Sequence, residues 1–465
     1  MLKKATSLSK LEWQAGISLA AVYVLRMLGL FMVIPVIAIA ALEYPDYSPF
    51  LVGLAIGGYG LTQAILQIPM GLMSDRWGRK PVIYLGLCLF ALGSLIAGLA
   101  DSMWLLTIGR ILQGAGAIAG AVMALATDVT RESQRTKVMA LIGVSIGMSF
   151  YIALLLGPFI ASNLGMQGIF LITAVLALIC VPVVMFGVPS ANVMQASGDS
   201  LPKVSQLGDM LRHSYLWRLN VSVLVVHMLI TCFFIQVPVQ LVEIGIDLGD
   251  HWRLYSIVLL ASVVCLFIMI KALDKQAVVI SFRVSLLLMM AAFVLLLTAP
   301  PSWTGTLIAG ILFFTGFNFL EAKMPSMVSA IAPAGRKGSA MGIYASHQFF
   351  GAFLGGILAG LLNSYLSAEY TFMMCLAVIV ILNFIAKGLT STERIKRVTL
   401  SIREQVDNQY DLNNEHISAL RNKLSQLNGV KEAIVDLQDA AVYLKVDAKQ
   451  FEQDLAEQII SLQAT

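Results

Sequence analysis

Apolar residues run for the length of a bilayer crossing again and again along this chain. A spanning helix needs about 20 predominantly apolar residues, because each adds 1.5 Å across a hydrocarbon core about 30 Å thick. Segments that meet this test lie near 14–42, 50–72, 81–100, 104–128, 137–160, 167–188, 217–243, 254–271, 278–299, 303–330, 338–364 and 369–390. They predict an all-α polytopic membrane protein with twelve transmembrane helices. Composition agrees: of 465 residues, 58% are hydrophobic and 12% are charged. A soluble domain carries about 25% charged residues to keep its surface wet, so lipid is the expected solvent for most of the chain. The apolar start, preceded by Lys3, Lys4 and Lys10, lacks a cleavage-type small-residue stop and reads as an uncleaved first span.

Residues 189–216, rich in Ser, Gly, Asn and Asp, form the longest break between spans and divide them six and six. The expected domains are an N-terminal half (1–188), a central cytoplasmic loop (189–216), a C-terminal half (217–390) and a soluble cytoplasmic unit (398–465). Other connections are short, so consecutive helices must pack as antiparallel neighbours. Two six-helix halves suit a transporter that rocks about a midplane cavity.

Charge sets the orientation. The unit from 398 onward carries a net −5, which leaves +9 on the remainder. That basic excess belongs to a membrane domain and calls for topology rather than nucleic acid. Arg76, Arg79 and Lys80 follow span two; Arg131, Arg135 and Lys137 follow span four; Lys203, Arg212 and Arg218 follow span six. Lys271 and Lys275 follow span eight, and Arg336 and Lys337 follow span ten. Alternate loops hold Glu43 and Asp46, Asp101, then Glu243, Asp247 and Asp250, then Glu369. By the positive-inside rule both termini are cytoplasmic.

Gly71 to Lys80, GLMSDRWGRK, closes span two. A glycine there lets two helix ends approach, and Asp75 can face a helix N-terminus, where the macrodipole favours a carboxylate. Arg76, Arg79 and Lys80 can pair with acids on adjacent loops. The decapeptide, with Gly78 at its turn, resembles the signature loop of the major facilitator superfamily, which joins spans two and three; Met73 stands where that family usually has Leu. Arg110-Ile111-Leu112-Gln113-Gly114 resembles the family's R-x-x-Q-G element, which implies for Arg110 and Gln113 a part in proton coupling or in organising the first half. Asp128 resembles the acid that pairs with the signature arginine. Gly157-Pro158 resembles the family's antiporter motif in part, with Ala153 for its first Gly and Ala161 and Ser162 for its last two. Leu25 to Val36, residues 317–322 and the appended unit resemble bacterial inner-membrane members classed as proton-driven efflux carriers. The resemblance implies a bacterial inner (cytoplasmic) membrane location and efflux of a drug or metabolite.

An ionisable residue inside a membrane is a functional hypothesis by default. Arg26, Arg110, His227, Glu321, Lys323 and His347 all lie in apolar spans. Glu321 is the best proton carrier, because desolvation raises a carboxyl toward neutral pH, and His227 titrates there already. Arg26, Arg110, Gln113, His227 and Glu321 are therefore the candidate proton-coupling and cavity residues. Each could equally be a satisfied structural group. Glycine pairs four apart, among them Gly53 with Gly57 and Gly356 with Gly360, allow close helix packing.

From about Val398 the pattern changes. Val398, Leu400 and Ile402 alternate as a strand does, Leu412 to Leu427 reads as a helix, Val430 to Leu437 and Ala441 to Val446 as strands, and Phe451 to Leu462 as a helix. The order β-α-β-β-α predicts a small α+β ferredoxin-like domain. It resembles the heavy-metal-associated scaffold, but no Cys follows Cys375. Thiolate metal binding is not expected, and the five scattered cysteines read as packing residues. Regulation, ligand sensing, self-association and a passive appendage all remain open for this unit.

No catalytic, metal or cofactor site is legible. A P-loop requires Gly-Lys before Ser/Thr, and Gly-Lys occurs nowhere. The expected function is secondary active transport of a small molecule across the bilayer, with protons as coupling ion. A uniporter or importer, or a membrane sensor acting through the appended unit, is the alternative.

Overall fold

The structure, a computed structural model, describes residues 8–189, 208, 210–273, 276–333, 336–389, 395–402, 414–436, 441–447 and 450–462. Most of the expected central loop, together with Lys3, Lys4, Lys203 and Lys275, lies outside the described residues. The helices are α1 (Lys10–Phe31), α2 (Ile37–Ala40), α3 (Pro49–Trp77), α4 (Arg79–Gly98), α5 (Met103–Ala115), α6 (Ala119–Asp128) and α7 (Glu132–Gly187). They continue with α8 (Ser214–Glu243), α9 (His251–Leu273), α10 (Val278–Thr298), α11 (Trp303–Ile331), α12 (Lys337–Tyr365) and α13 (Ala368–Ala386).

Serines set where several helices begin. Ser48 and Ser102 accept from Leu51 N and Leu105 N, each at 3.2 Å, and Ser302 accepts from Gly305 N at 3.1 Å. Each satisfies an amide that the first turn leaves without an intrahelical partner. Ser9 and Glu12 close a full capping box at the start of α1.

Eleven helices among the described residues are long and apolar enough to cross a membrane. One of them, α7, has 56 residues and loses helical geometry at Gly165 (φ 67°, ψ −178°). A straight helix of that length would reach about 84 Å, far more than one crossing needs. Gly165 therefore separates two span-length segments, and the eleven helices hold twelve of them. The predicted fourth span is broken in two, because α5 ends at Ala115 and α6 begins at Ala119. Close packing accompanies the break: a Cβ on Gly116 would lie 2.5 Å from Gly86 O, and one on Gly93 would lie 2.5 Å from Gln113 N. The predicted first span is interrupted as well, by turns at 32–36 around Pro35, which has no amide hydrogen to continue the ladder.

The two sets of helices meet along α3 and α12. Carbonyl oxygens of α12 press on glycines of α3, so that a Cβ on Gly57 would lie 2.9 Å from Phe353 O and one on Gly60 would lie 2.6 Å from Phe349 O. Gly53 abuts Gly356 backbone to backbone, and a Cβ on Gly360 would lie 2.8 Å from Pro49 O. All these contacts fall in the half of the bundle remote from the Gly71–Lys80 loop. Deeper in, Phe150 of α7 meets Phe31 (5.0 Å between ring centroids), Phe234 (6.5 Å) and Phe314 (6.2 Å). Asn318 of α11 donates to Tyr151 Oη at 2.8 Å.

The appended unit has β1 (Ile395–Ser401), α14 (Asn414–Ser425), β2 (Val430–Asp436), β3 (Ala441–Asp447) and α15 (Gln453–Leu462). Its sheet order is β1-β3-β2, antiparallel throughout. The first strand starts at Ile395, three residues before the predicted Val398, because pairing with Asp447 extends the ladder past the apolar alternation. Val442, Leu444 and Val446 share one core with Leu420, Leu424, Ala456 and Ile460 of the helices. The opposite face carries Tyr443 and Lys445, and Lys445 Nζ donates to Ile331 O, at the end of α11, at 2.9 Å.

Candidate transport site and signature loop

The turn between α3 and α4 is a single residue, Gly78, with φ 91° and ψ 154°. Side chains rarely adopt that conformation, so the chain reverses here only through glycine. The reversal carries Arg79 back into the protein, where it is buried. Its Nε donates to Asp128 Oδ2 at 3.0 Å, and its Nη1 donates to Ser74 Oγ at 2.9 Å and to Asp75 Oδ1. Lys80 Nζ donates to Val188 O at 2.6 Å. One decapeptide thus ties α3, α4, α6 and the end of α7. Gly71 is buried with Gly120 against it, and Arg76 is exposed. Asp75, expected to face a helix N-terminus, sits beside that of α4, where it meets the Arg79 guanidinium. A second tie, not anticipated, joins Arg131 to Glu12, with Nη2 to Oε2 at 2.7 Å and Nε to Oε1 at 2.8 Å. It pins the start of α1 to the turn before α7.

Arg26 and Arg110 are each 1% exposed. Arg26 Nη2 donates to Gly116 O at 2.8 Å, to Gln63 Oε1 at 3.2 Å and to Tyr59 Oη at 3.4 Å. One turn away, Tyr23 Oη donates to Ala119 O at 2.8 Å. Two side chains of α1 thus reach carbonyls at the α5–α6 break, Gly116 O and Ala119 O. Arg110 Nη1 donates to Gln113 Oε1 at 2.7 Å, Gln113 Nε2 donates to Ser94 Oγ at 2.6 Å, and the Arg110 guanidinium lies 4.9 Å from the Tyr59 ring centroid. Both arginines therefore meet Tyr59, Arg26 at its hydroxyl and Arg110 at its ring. The sequence left them open as cavity or structural groups; the structure buries both among helix-packing contacts, with Arg26 Nε and Nη1 lacking partners.

A different group lies among α8, α11 and α12. His227 of α8 and Glu321 of α11 approach at 3.8 Å, Nε2 to Oε2. Gln348 of α12 stands between them, its Nε2 2.7 Å from His227 Nε2 and 3.2 Å from Glu321 Oε1. The Glu321 side chain is 35% exposed and that of His227 15%, so solvent reaches this group and not the arginines. His347 turns away, Nδ1 to Ile343 O at 2.8 Å. Lys323, two residues from Glu321 and so about 200° around the helix, lines a cavity of about 220 Å³ with Gln276, Ser281 and Ser326. Among the described residues no cluster of three His, Cys, Asp or Glu could hold a metal.

The family model described as Major Facilitator Superfamily matches residues 19–320 and 243–427. The chain is also 38% identical over 442 residues to the inner membrane transport protein YajR of Escherichia coli (strain K12), covering 94% of this chain and 95% of that one. This chain belongs to the major facilitator superfamily. It is a multi-pass membrane transporter, not an enzyme. A bacterial homologue of the human lysosomal transporter Spinster, solved in an inward-facing and occupied conformation, shares the fold with a TM-score of 0.64 at 13% identity, covering 82% of this chain and 97% of that one. The class B tetracycline resistance protein of Escherichia coli is 32% identical over 166 residues, 35% of this chain and 41% of that protein.

Within the family frame, sequence reasoning missed Gln348, Tyr59, Gln63 and the Asn318–Tyr151 bridge. Apart from Gln113, which a motif marks, the candidates in the spans carry ionisable side chains, whereas these are uncharged at neutral pH. The usable signal was a glutamine next to a histidine in an otherwise apolar helix, since buried amides must find partners.

Proposed function

We propose that this transporter exports a small molecule in exchange for protons, and that His227, Gln348 and Glu321 form the proton-binding site. The observation that carries the reading is a carboxylate and an imidazole, bridged by one amide and reachable by solvent, inside a membrane bundle. Such groups are costly in lipid and persist where a charge must be taken up and released. Beside them Phe317 lies tilted against His227, 5.9 Å between centroids, and joins the Phe150 cluster through Phe314. A carboxylate near aromatic rings suits an apolar substrate that competes with a proton for Glu321. The partial likeness to a tetracycline resistance protein agrees with efflux.

The same reading places the chain in a bacterial inner membrane with both termini cytoplasmic, following the loop charges. The α3–α12 contact then closes the periplasmic side, an inward-facing state with two six-helix halves. Arg79, Asp75 and Asp128 form the switch that holds the first half together as the halves rock. The β1-β3-β2 sheet, with α14 and α15 on one face, is read as a ferredoxin-like unit that regulates transport. Self-association through it would have to use a surface other than the Lys445 face, which meets α11.

The test is flux into proteoliposomes under an imposed pH gradient, across a compound panel, comparing the native chain with Glu321→Gln. Gradient-driven flux is expected for at least one compound and should vanish in the variant. Flux that ignores the gradient would favour the uniporter instead, and absence of flux with domain-dependent output would favour a sensor.

A further inference from the structure

His227, Gln348 and Glu321 come from three helices, yet their polar atoms form one chain whose proton positions are constrained. His227 Nδ1 lies 3.1 Å from Val223 O. A carbonyl oxygen only accepts, so Nδ1 carries the ring hydrogen. Glu321 Oε1 lies 3.2 Å from Gln348 Nε2. An ionised carboxylate also only accepts, so the amide must turn its NH2 toward it. That same nitrogen is 2.7 Å from His227 Nε2. The ring nitrogen must then be bare, accepting the second amide hydrogen. One assignment satisfies every contact: a neutral imidazole with hydrogen on Nδ1, beside an ionised Glu321.

A second observation marks what is missing. Glu321 Oε2, the oxygen facing His227 Nε2, is buried and has no hydrogen-bond partner. A buried acceptor without a donor is costly. One proton on His227 Nε2 would supply that donor, but Gln348 occupies the position with its own N–H. For the proton to be held, the amide must leave that position, because a carbonyl oxygen turned into it would also lie against the Glu321 carboxylate.

We propose that Gln348 is the positioning residue of this site: with Val223 O holding the hydrogen on Nδ1, its amide keeps His227 Nε2 bare and gives way when the site takes up a proton. No bond other than the one from the proton to Nε2 is made. The functional meaning rests on the proton-coupled reading above; the tautomer does not. His347, whose Nδ1 is turned to Ile343 O, takes no part.

The experiment is nitrogen NMR of the ring-labelled protein in nanodiscs at a pH where Glu321 is ionised, with His227 assigned by subtracting the His227→Gln spectrum. The native chain should show His227 protonated at Nδ1 and bare at Nε2. Gln348→Met keeps the length of the side chain and removes both hydrogen bonds; hydrogen should stay on Nδ1, where Val223 O accepts it, while the bare Nε2 loses its donor and its resonance moves downfield. In proteoliposomes the same variant should lose gradient-driven flux roughly tenfold, as removal of a hydrogen bond to a charged group does. A hydrogen on Nε2 in the native chain overturns the proposal, and so does an unchanged His227 spectrum in Gln348→Met. If Gln348→Met does not fold, the native spectrum decides alone. If native proteoliposomes show no gradient-driven flux for any compound, the proton-coupled reading fails while the spectra still judge the role of Gln348.

Discussion

At the residue scale, charge is handled in opposite ways at two places in the bundle. Arg79 is buried beside Asp75 and Asp128, and the side chains of Arg79 and Asp128 are 5% and 3% exposed. Removing the one cation that such acids share leaves uncompensated charge and costs about 3–5 kcal/mol. Arg79→Ala should therefore lower the melting temperature of the detergent-solubilised chain sharply, while Arg76→Ala, at an exposed position, should leave it unchanged. A similar loss from both would mean that the loop stabilises by charge density rather than by this cluster. Arg26 reaches Gly116 O, Gln63 and Tyr59 through Nη2 alone, and its Nε and Nη1 are buried without a partner. Arg26→Met takes the charged donor from those acceptors and should destabilise by about 1–3 kcal/mol, read by the same thermal assay. Were Arg26 instead a proton carrier with no structural part, the methionine variant would melt normally.

At the element scale, the behaviour of α3 and α12 follows from absent side chains. Gly53, Gly57 and Gly60 admit the backbone of α12 to contact distance, the close approach that small residues permit between membrane helices. A methyl group on Gly356 would meet Gly53 O, and such overpacking costs about 1–3 kcal/mol. Gly356→Ala should prise the two helices apart, and a cysteine placed at Phe50 should then react faster with a membrane-impermeant maleimide. Unchanged labelling would mean that the contact relaxes without separating. Another element depends on a distant loop. Asp46 accepts from Met103 N at 2.7 Å and Trp104 N at 3.2 Å, at the start of α5. Those amides, Met103 foremost, hold its carboxyl below the ordinary range. Since the folded value is the lower one, the stabilisation is complete above the unfolded value near 3.9 and is lost as pH falls through the folded one. Asp46→Ala should melt earlier than the native chain at pH 7, and the gap should close in acid.

At the scale of the whole molecule, the appended sheet and the membrane bundle are joined where α11 ends. Lys445 Nζ meets Ile331 O there, at the negative end of the helix dipole. His213, just before α8, lies close by; burial first, and then the Lys445 charge, push its imidazole below the ordinary value. Its Nδ1 is buried without a partner. When the sheet is docked this histidine takes up a proton at lower pH than when it is undocked, where the ordinary value near 6.5 applies. Well above that value neither state binds the proton, so docking is unopposed. As pH falls through it, the undocked state gains the proton first, and docking weakens until the docked value is reached. Hydrogen exchange along β3 should therefore quicken between about pH 7 and pH 5.5, and His213→Gln should flatten that dependence. Exchange that is independent of pH would remove His213 from the junction.

The bundle was legible because lipid imposes a length and a polarity on every crossing, and both are properties of sequence windows. The signature loop was legible too, since Gly78 and Arg79 act through neighbours in the chain and through one acid at the end of α6. Span integrity was less so: the interruptions after Phe31 and Ala115 depend on what packs beside them, and apolar runs look the same whether straight or broken. Nothing in the sequence distinguished Arg26, walled in behind carbonyls and glutamines, from Glu321, left open to solvent, because hydropathy is blind to which way a side chain faces. Gln348 went unread for a related reason. An amide has no charge to draw notice, and its importance comes only from the two groups that folding brings to either side of it. Sequence alone determined that this chain must cross a membrane many times and which loop would turn it. Tertiary structure decided which buried polar groups meet, because that depends on distances of about 3 Å between helices far apart in the chain.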